Sequence, residues 1–327
     1  MSLTIIKAGI LDTIQDEGRY GYQHVGINPG GAMDRFSAQL SNCLLGKAMN
    51  APVIEMHFPA PTIKFSKSTI ICITGANFSP MVNEKQIPLH QPVLVKKNGV
   101  LKFEKVISGV RCYLSILQDL RVKKWLDSFS TNIKAAAGGY EGRSFKAGDT
   151  IEYEEIAISD EGLKNQDFHV LPWRAAPSKN TLSDTIEVIE GPEWNWLTKE
   201  SQHSFSNQSY TISDKADRMG YRLSGLQLTL NEQKEMISSG VGFGTVQLLP
   251  NGQLIVLMAD HQTTGGYPRI ANVVSGNLPA LAQMRPNDRF KCRVIDIGSA
   301  EQKLIEQHQY LRSVQFASSF KIKNIVS

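Results

Sequence analysis

Cysteine is scarce in this chain: four residues, Cys43, Cys72, Cys112 and Cys292, in 327. None stands at C-x-x-C spacing, and each lies among apolar neighbours. They are expected to be small buried hydrophobes in a reducing cytosol, which argues against disulfides or thiolate metal sites. Long apolar runs are missing too. Stretches such as LIVLMA fall far below the roughly 20 residues of a membrane span. The start, MSLTIIKAGILDT, has no basic stretch followed by a long apolar one, so no secretory leader is expected. Charge of one sign is balanced: 35 Lys plus Arg against 31 Asp plus Glu leave +4. No Lys/Arg-rich run extends beyond short pairs, which excludes a nucleic-acid footprint. A G-x-x-x-x-G-K-[ST] phosphate loop is absent, as is H-E-x-x-H or other metal-ligand spacing, so no P-loop and no metal are expected. The expectation is a soluble cytoplasmic protein without nucleic acid, membrane or metal.

What is present is strand. The chain is 41% hydrophobic and 20% charged, an ordinary globular balance, and its length suits two domains or one large β-rich one. SLTIIKAGI, STIICIT, PVLVKK, GVLKFEKV and VRCYLSIL are short, rich in β-branched residues and bounded by turn residues. TIEVIEG, QSYTIS, LQLTL, GTVQLL, QLIVLMA and FKCRVIDI repeat the style in the second half. QLLPNGQLIVLM reads as a hairpin, with Asn251-Gly252 taking the positive φ angles of a type I′ turn.

Two helices stand out. From Asp34, DRFSAQLSNCLLG places Phe36, Leu40, Cys43 and Leu44 on one face, with Asp34 as cap and Gly46 in the left-handed position. The tail SAEQKLIEQHQYLRSV places Leu304, Ile305, Leu311 and Val314 together. Residues 158–185 are polar, Pro-containing and aperiodic, and read as a linker. The expected organisation is a mostly-β chain: a β-rich half over 1–157, the linker 158–185, a second β-rich half over 186–298 and a helical tail over 299–327.

Polar side chains gather in four places. DTIQDEGRYGYQHVGINPGGAMDR carries Gln15, Asp16, His24, Asp34 and Arg35 among many glycines, which allow close backbone approach. It reads either as a binding site facing the helix start or as an ordered loop whose acids and arginines pair. AAAGGYEGRSFKAGD is a Gly-rich loop with Tyr140, Glu141 and Arg143. SDKADRMGYRLSG offers Asp217, Arg218 and Tyr221, as ion pairs beside a strand or, through Arg218, as a carboxylate anchor. ISSGVGFGTVQL brings Ser238 and Ser239 ahead of a glycine series. ADHQTTGGYPRIANV follows an apolar strand with Asp260, His261, Gln262, Thr263, Thr264, Gly265, Gly266, Tyr267 and Arg269. The hairpin is expected to bring these last two stretches to one rim. No G-x-S-x-G elbow supports a Ser–His–Asp triad, and Asp260 and His261 are adjacent in sequence. His261 alone reads as a general base or as a structural histidine.

Those clusters, with ITGANF, GPEWNW and LAQMRPND, resemble the biotin-dependent carboxyltransferase family over residues 3 to about 297. The family is also called allophanate hydrolase subunit 2 and includes the C subunit of the prokaryotic 5-oxoprolinase, to which the resemblance is strongest. The resemblance implies a cyclophilin-like β-barrel architecture with a few short helices. It implies work in a complex with a subunit-B type partner and an A-type subunit, where ATP drives the opening of 5-oxoproline to L-glutamate. Other relatives transfer a carboxyl group from carboxybiotin to urea or another small amide, so biotin is a cofactor only if that alternative holds. Still others are Kip-type regulators of a sensor kinase inhibitor.

This chain lacks the biotin-acceptor A-M-K-M motif and a domain of ATP-grasp size, and its AAAGGY departs from a more Gly-rich loop. On this resemblance Asp260, His261 and Asp217 are the expected proton carriers. Arg218, Tyr221, Ser238, Ser239, Gln262, Thr263, Thr264, Gly265, Gly266, Tyr267 and Arg269 are expected to hold a small lactam or amide. Gln15, Asp16, His24, Asp34 and Arg35 form a possible second site.

Overall fold

The structure, a computed structural model, describes residues 1–156, 158, 163, 166–176, 184–232 and 236–326. The chain divides into two compact units, Met1–Gly18 with Asp34–Ser178 and His308–Ser327, and Arg19–Met33 with Lys179–Gln307.

The first unit holds β1 (Ser2–Lys7), β2 (Asp12–Gln15), α1 (Arg35–Leu44), β3 (Val53–His57), β4 (Thr62–Phe65), β5 (Thr69–Asn77) and β6 (Pro80–Val82). It continues with β7 (Lys85–Gln86), β8 (Val93–Val95), β9 (Val100–Phe103), β10 (Ser108–Ile116), β11 (Thr150–Glu152) and β12 (Phe168–Val170). Two sheets result, in the orders β11-β1-β4-β9-β6-β7 and β12-β8-β5-β10-β3-β2. Leu3, Ile5, Ile63, Phe65 and Leu101 of the first meet Ile14, Ile54, Met56, Ile71, Ile73 and Leu114 of the second in one core. The continuous apolar run of β5 has a reason in this arrangement. Ile71 and Ile73 face that core, while Ile70 and Cys72 pack with Phe36, Leu40, Cys43 and Leu44 of α1. A strand covered on both faces needs no polar alternation.

Helix α1 starts where expected. Asp34 accepts from the Ser37 amide at 2.9 Å and from its hydroxyl at 2.6 Å, and Gly46 takes φ +68. The segment expected as a linker is only partly described, since residues 159–162, 164–165 and 177–183 lie outside the described set. Its described part contains β12, paired with β8, and the buried Leu163, Leu171 and Trp173. A three-residue strand is too short to show a period, so it reads as irregular.

The second unit holds β13 (Thr185–Glu190), α2 (Lys199–Asn207), β14 (Ser209–Ile212), β15 (Gly220–Ser224), β16 (Ser239–Gly240), β17 (Thr245–Leu248) and β18 (Leu254–Leu257). It continues with β19 (Thr264–Gly265), β20 (Arg269–Val273), α3 (Leu278–Ala282) and β21 (Arg289–Val294). Seven strands close a barrel in the order β13-β20-β17-β18-β15-β14-β21. Ile186, Val188, Tyr210, Tyr221, Leu223, Val246, Leu248, Leu254, Val256 and Phe290 are among the residues that fill it. This is the mostly-β barrel architecture that the resemblance implied.

The β17–β18 hairpin forms, but not through a two-residue turn. Leu248 pairs with Leu254, the Gly252 amide returns to the Leu249 carbonyl at 2.9 Å, and of the turn residues Gly252 is left-handed at φ +77 while Asn251 is not. Pro250 locks its own φ near −65°, which suits a type I turn and lengthens the loop.

The final helix, α4 (Ile297–Val326), has 30 residues and is not short. Its start repeats the α1 cap, with Asp296 accepting from the Ser299 amide at 2.9 Å and hydroxyl at 2.6 Å. Leu311 is buried, but Leu304 is 37% and Ile305 50% exposed, so the expected apolar face is covered only in its later turns. All four cysteines are buried and free. Among the described residues no helix is long and apolar enough to cross a membrane.

One buried acid in the first unit carries a testable consequence. Asp12 accepts from the Gly9 amide at 2.6 Å through Oδ2, while its buried Oδ1 has no partner. Burial outweighs the Gly9 hydrogen bond and pushes the carboxyl from 3.8 up to about 7. The folded state therefore keeps a proton that the unfolded chain releases near pH 4. Stability is full below that, falls as pH rises, and the contribution is gone above about pH 7. Asp12→Asn should stay neutral and flatten this slope. Urea denaturation at pH 5 and pH 8 should show the wild type losing on the order of 2 kcal/mol more than the variant; equal losses refute the assignment.

Candidate active site

The second unit gathers the hydroxyl-bearing loops at one rim of the barrel. Strands β16 and β19 pair as a short ribbon, Ser239 opposite Gly265 and Gly240 opposite Thr264. The Val241 amide extends it to the Thr263 carbonyl at 3.1 Å. The stretches around Ser238 and Thr264 are thus brought together. Ser238, Gln262, Thr264, Gly266 and Tyr267 are exposed, and Ser239, Thr263 and Gly265 half-buried.

The ribbon packs against Gln247 of β17, which is fully buried. A Cβ on Gly265 would stand 2.5 Å from Gln247 Nε2, so a larger residue here would push the Gln247 amide aside. Gln247 Nε2 reaches the Tyr267 carbonyl only at 3.4 Å. Its Oε1 and the Ser239 Oγ are buried without a hydrogen-bond partner among the described residues. Two such atoms beside one ribbon are unusual, because buried polar atoms are normally satisfied. One is an acceptor and the serine is also a donor, and both lie out of reach of solvent in this conformation.

Both arginines expected to anchor an anion are already engaged. Arg269 donates from its amide and Nε to Glu193 Oε2, each at 2.9 Å, and from Nη2 to Oε1 at 2.8 Å. Its Nη1 reaches the Gly240 carbonyl at 3.2 Å. Burial raises the Glu193 carboxyl, but the Arg269 hydrogen bonds outweigh it and hold the group below the usual range. Arg218 forks onto Asp260, Nε to Oδ2 at 2.7 Å and Nη2 to Oδ1 at 3.0 Å. Nη2 also meets the Gly31 carbonyl at 2.7 Å, so part of the glycine-rich segment 19–33 lies beside Asp260. A carboxylate with both oxygens on one guanidinium is a fixed counter-ion rather than an open base.

The other expected proton carriers are also in structural settings. His261 is 1% exposed and its Nδ1 lies 2.5 Å from the Gln262 carbonyl; a carbonyl can only accept, so Nδ1 carries the proton. Asp217 is exposed and its Oδ1 accepts from the Met219 and Gly220 amides at 2.8 and 3.1 Å, capping the turn into β15. Tyr221, 2% exposed, belongs to the barrel core.

The possible second site does not gather in one unit. His24 is exposed in the second unit; Gln15, Asp16, Asp34 and Arg35 belong to the first. Asp16 accepts from the Gly18 amide, the Ser128 and Ser130 hydroxyls and the Phe129 amide at 2.5–2.7 Å. That is the coordination of a loop anchor. Asp34 is the α1 cap, and its amide donates to the Tyr113 hydroxyl, which donates to Glu55, both at 2.8 Å. Gln15 donates to the Thr13 hydroxyl at 2.9 Å, while its Oε1 is buried without a partner.

Sequence reasoning overlooked Glu193 and Gln247. Glu193 had a weak signal, an acid ahead of two tryptophans in GPEWNW. Gln247 had a clearer one, an amide inside the apolar run GTVQLL. The assembled rim offers neutral donors and acceptors with its charges already paired. That suits recognition of a small uncharged polar group and stabilisation of charge as it develops; a nucleophilic triad is not assembled by these residues.

Known proteins bear on this arrangement. The family described as "Carboxyltransferase domain, subdomain A and B" matches residues 25–293. A protein of Haemophilus influenzae named as the C subunit of 5-oxoprolinase is 34% identical over 303 residues, 93% of this chain and 94% of that one. A urea amidolyase of Saccharomyces cerevisiae is 33% identical over 312 residues, 89% of this chain but 16% of that one. The crystal structure of the Kluyveromyces lactis urea amidolyase shares the fold, with a TM-score of 0.85 at 24% identity, covering 96% of this chain and 20% of that one.

The Arg269–Glu193 pair separates a structural from a ligand-binding arginine. The two side chains are 22% and 9% exposed, so Arg269→Met strands a mostly buried carboxylate and should cost about 2–4 kcal/mol. Adding Glu193→Gln removes the stranded charge and should restore part of that loss. Chemical denaturation of the single and double variants reads both; an Arg269→Met protein as stable as the wild type contradicts the structural role.

Proposed function

We propose a function from the premise that this chain belongs to the carboxyltransferase domain family, subdomains A and B: it is a component of a heteromeric, ATP-dependent 5-oxoprolinase. The observation that carries this reading is the correspondence to a 5-oxoprolinase C subunit over 94% of that protein's length. The reaction adds water across the lactam C–N bond of 5-oxo-L-proline. The carbonyl carbon gains an oxygen and the ring nitrogen a proton, which gives L-glutamate.

In this reading the ribbon binds the lactam. The Thr264 and Ser239 hydroxyls and the Gln247 amide meet its polar atoms, and Tyr267 covers it. Their preorganised dipoles stabilise oxygen charge as the carbonyl is activated. Arg218 and Arg269 act on this site through position, by holding Asp260 and Glu193 and with them the loops. ATP enters at the level of the complex, with a subunit-B type partner and an A-type subunit. The engagement of Asp217, Asp260 and His261 in structural contacts supports such a division of labour.

A second reading has two findings behind it. The family description and the urea amidolyase relative favour carboxyl transfer to urea or another small amide, with carboxybiotin supplied by another chain. Urea presents the same amide edge to the same donors.

The deciding assay is glutamate release from 5-oxoproline and ATP by this chain with its two partner proteins, each omitted in turn. Glutamate should appear only when all three are present; release without this chain refutes the reading. Gln247→Met tests the rim itself. Removing a buried amide whose oxygen is unpartnered and whose nitrogen makes one long hydrogen bond should leave stability equal or slightly higher, while Thr264→Ala and Gln247→Met should each lower kcat/KM about tenfold or more. Unchanged turnover in both variants removes the ribbon from the site.

A further inference from the structure

The Gly-rich loop AAAGGYEG takes no part in the rim, yet it lines a cavity of about 560 Å³ in the first unit. One wall is the run 121–125, with Arg121, Lys123, Lys124 and Trp125; the other is residues 136–142. Arg121, Lys123 and Lys124 are exposed. Among the described residues no carboxylate pairs with either lysine, and Glu152 lies 3.9 Å from Arg121 with both side chains over half exposed, a pair too long and too wet to neutralise it. The one acid lining the cavity, Glu141, is held by Arg143 at 2.6 Å, and Arg143 holds Asp149 at 2.7 Å on its other side.

The facing wall adds backbone donors. Ala136, Gly138, Gly139, Glu141 and Gly142 all have positive φ, between 47° and 70°. The amides of Gly138, Gly139, Tyr140 and Glu141 donate to no acceptor among the described residues. Left-handed residues interspersed in a turn make the concave amide nests that bind anionic oxygens.

Both walls are tied to the end of β2. Asp16 holds Ser128, Phe129 and Ser130. The Trp125 amide donates to the Ser128 carbonyl at 2.9 Å, and Lys124 Nζ sits 5.1 Å over the Phe129 ring. On the other wall Thr131 donates to the Ile14 carbonyl from its amide and hydroxyl at 2.9 and 3.0 Å. A Cβ on Gly139 would stand 1.9 Å from Thr131 Oγ1, so the loop is fixed tightly against this anchor.

We infer that this cavity binds the phosphates of a small polyphosphate-bearing molecule. Three cations without a neutralising acid and four open amides on one cavity suit dense, oxygen-borne negative charge. The volume is that of a small-molecule pocket, and Trp125 and Tyr140 are among its lining residues. Asp16 is a positioning residue in this account. The inference does not depend on the oxoprolinase reading, and its test involves no turnover.

Isothermal titration of the full chain with tripolyphosphate, ATP and adenosine, at low and at raised salt, reads it. Tripolyphosphate and ATP should bind, adenosine should not, and raised salt should weaken both. Lys123→Gln/Lys124→Gln should weaken binding about tenfold or more. The charge-matched control Lys64→Gln/Lys97→Gln, on exposed lysines elsewhere, should not. Tighter binding of ATP than of tripolyphosphate adds a ring contact, and equal binding assigns affinity to the phosphates alone; both support the site. No binding of either up to millimolar concentration, or equal weakening by the control, overturns it.

Discussion

The rim of the barrel depends on one buried charge pair. Glu193 takes three donors from Arg269, and the remaining arm of the guanidinium reaches the Gly240 carbonyl. A single interaction therefore ties the turn after β13 to β20 and to the ribbon strand β16. With Gly240 fixed, Ser239 falls opposite Gly265, and Gly265, lacking a Cβ, lies against Gln247. An arginine suits this task better than a lysine. Its planar fork satisfies both carboxylate oxygens at once and leaves one N–H to reach sideways.

Pairing Arg218 and Arg269 with carboxylates, among the described residues, sets the chemistry the rim can perform. Arg218 and Asp260 neutralise each other, as do Arg269 and Glu193. The polar atoms left over are hydroxyls and an amide. Such groups discriminate among small neutral molecules by hydrogen-bond complementarity. A site built to pair an N–H or C=O rejects an analogue that lacks it, because its own buried atoms are then stranded. The orphaned Gln247 Oε1 and Ser239 Oγ have that property already.

Local signals in the sequence were legible and distant pairings were not. Asp34 and Gly46 mark the ends of α1 because capping is decided within a few residues. The D-x-x-S start of α4 is equally local but was not read: the helical tail was expected from residue 299, and the helix begins at Ile297. The arginines were visible as residue types, but not their partners: Arg269 and Glu193 are 76 positions apart and Arg218 and Asp260 are 42 apart. Read alone, each arginine looked available. Gln247 was overlooked because its neighbours are apolar; in a barrel strand they face inward while it faces the covering ribbon. β12 is too short for periodicity to reveal, and the assignment of segment 19–33 to the barrel unit follows from tertiary contacts that no local pattern encodes.

Charge accounting separates the barrel rim from the Gly-rich cavity. At the rim Arg218 and Arg269 each have their own carboxylate, held in bidentate geometry, so a charged ligand would have to compete with an optimised pair. At the Gly-rich cavity the lysines face no acid among the described residues, the one lining carboxylate is held by its own arginine, and the backbone presents donors without acceptors. A neutral amide at the cavity would leave its cations unsatisfied, and a polyphosphate at the rim would meet Asp260 and Glu193. On charge alone, the two proposed sites would therefore suit opposite ligand classes.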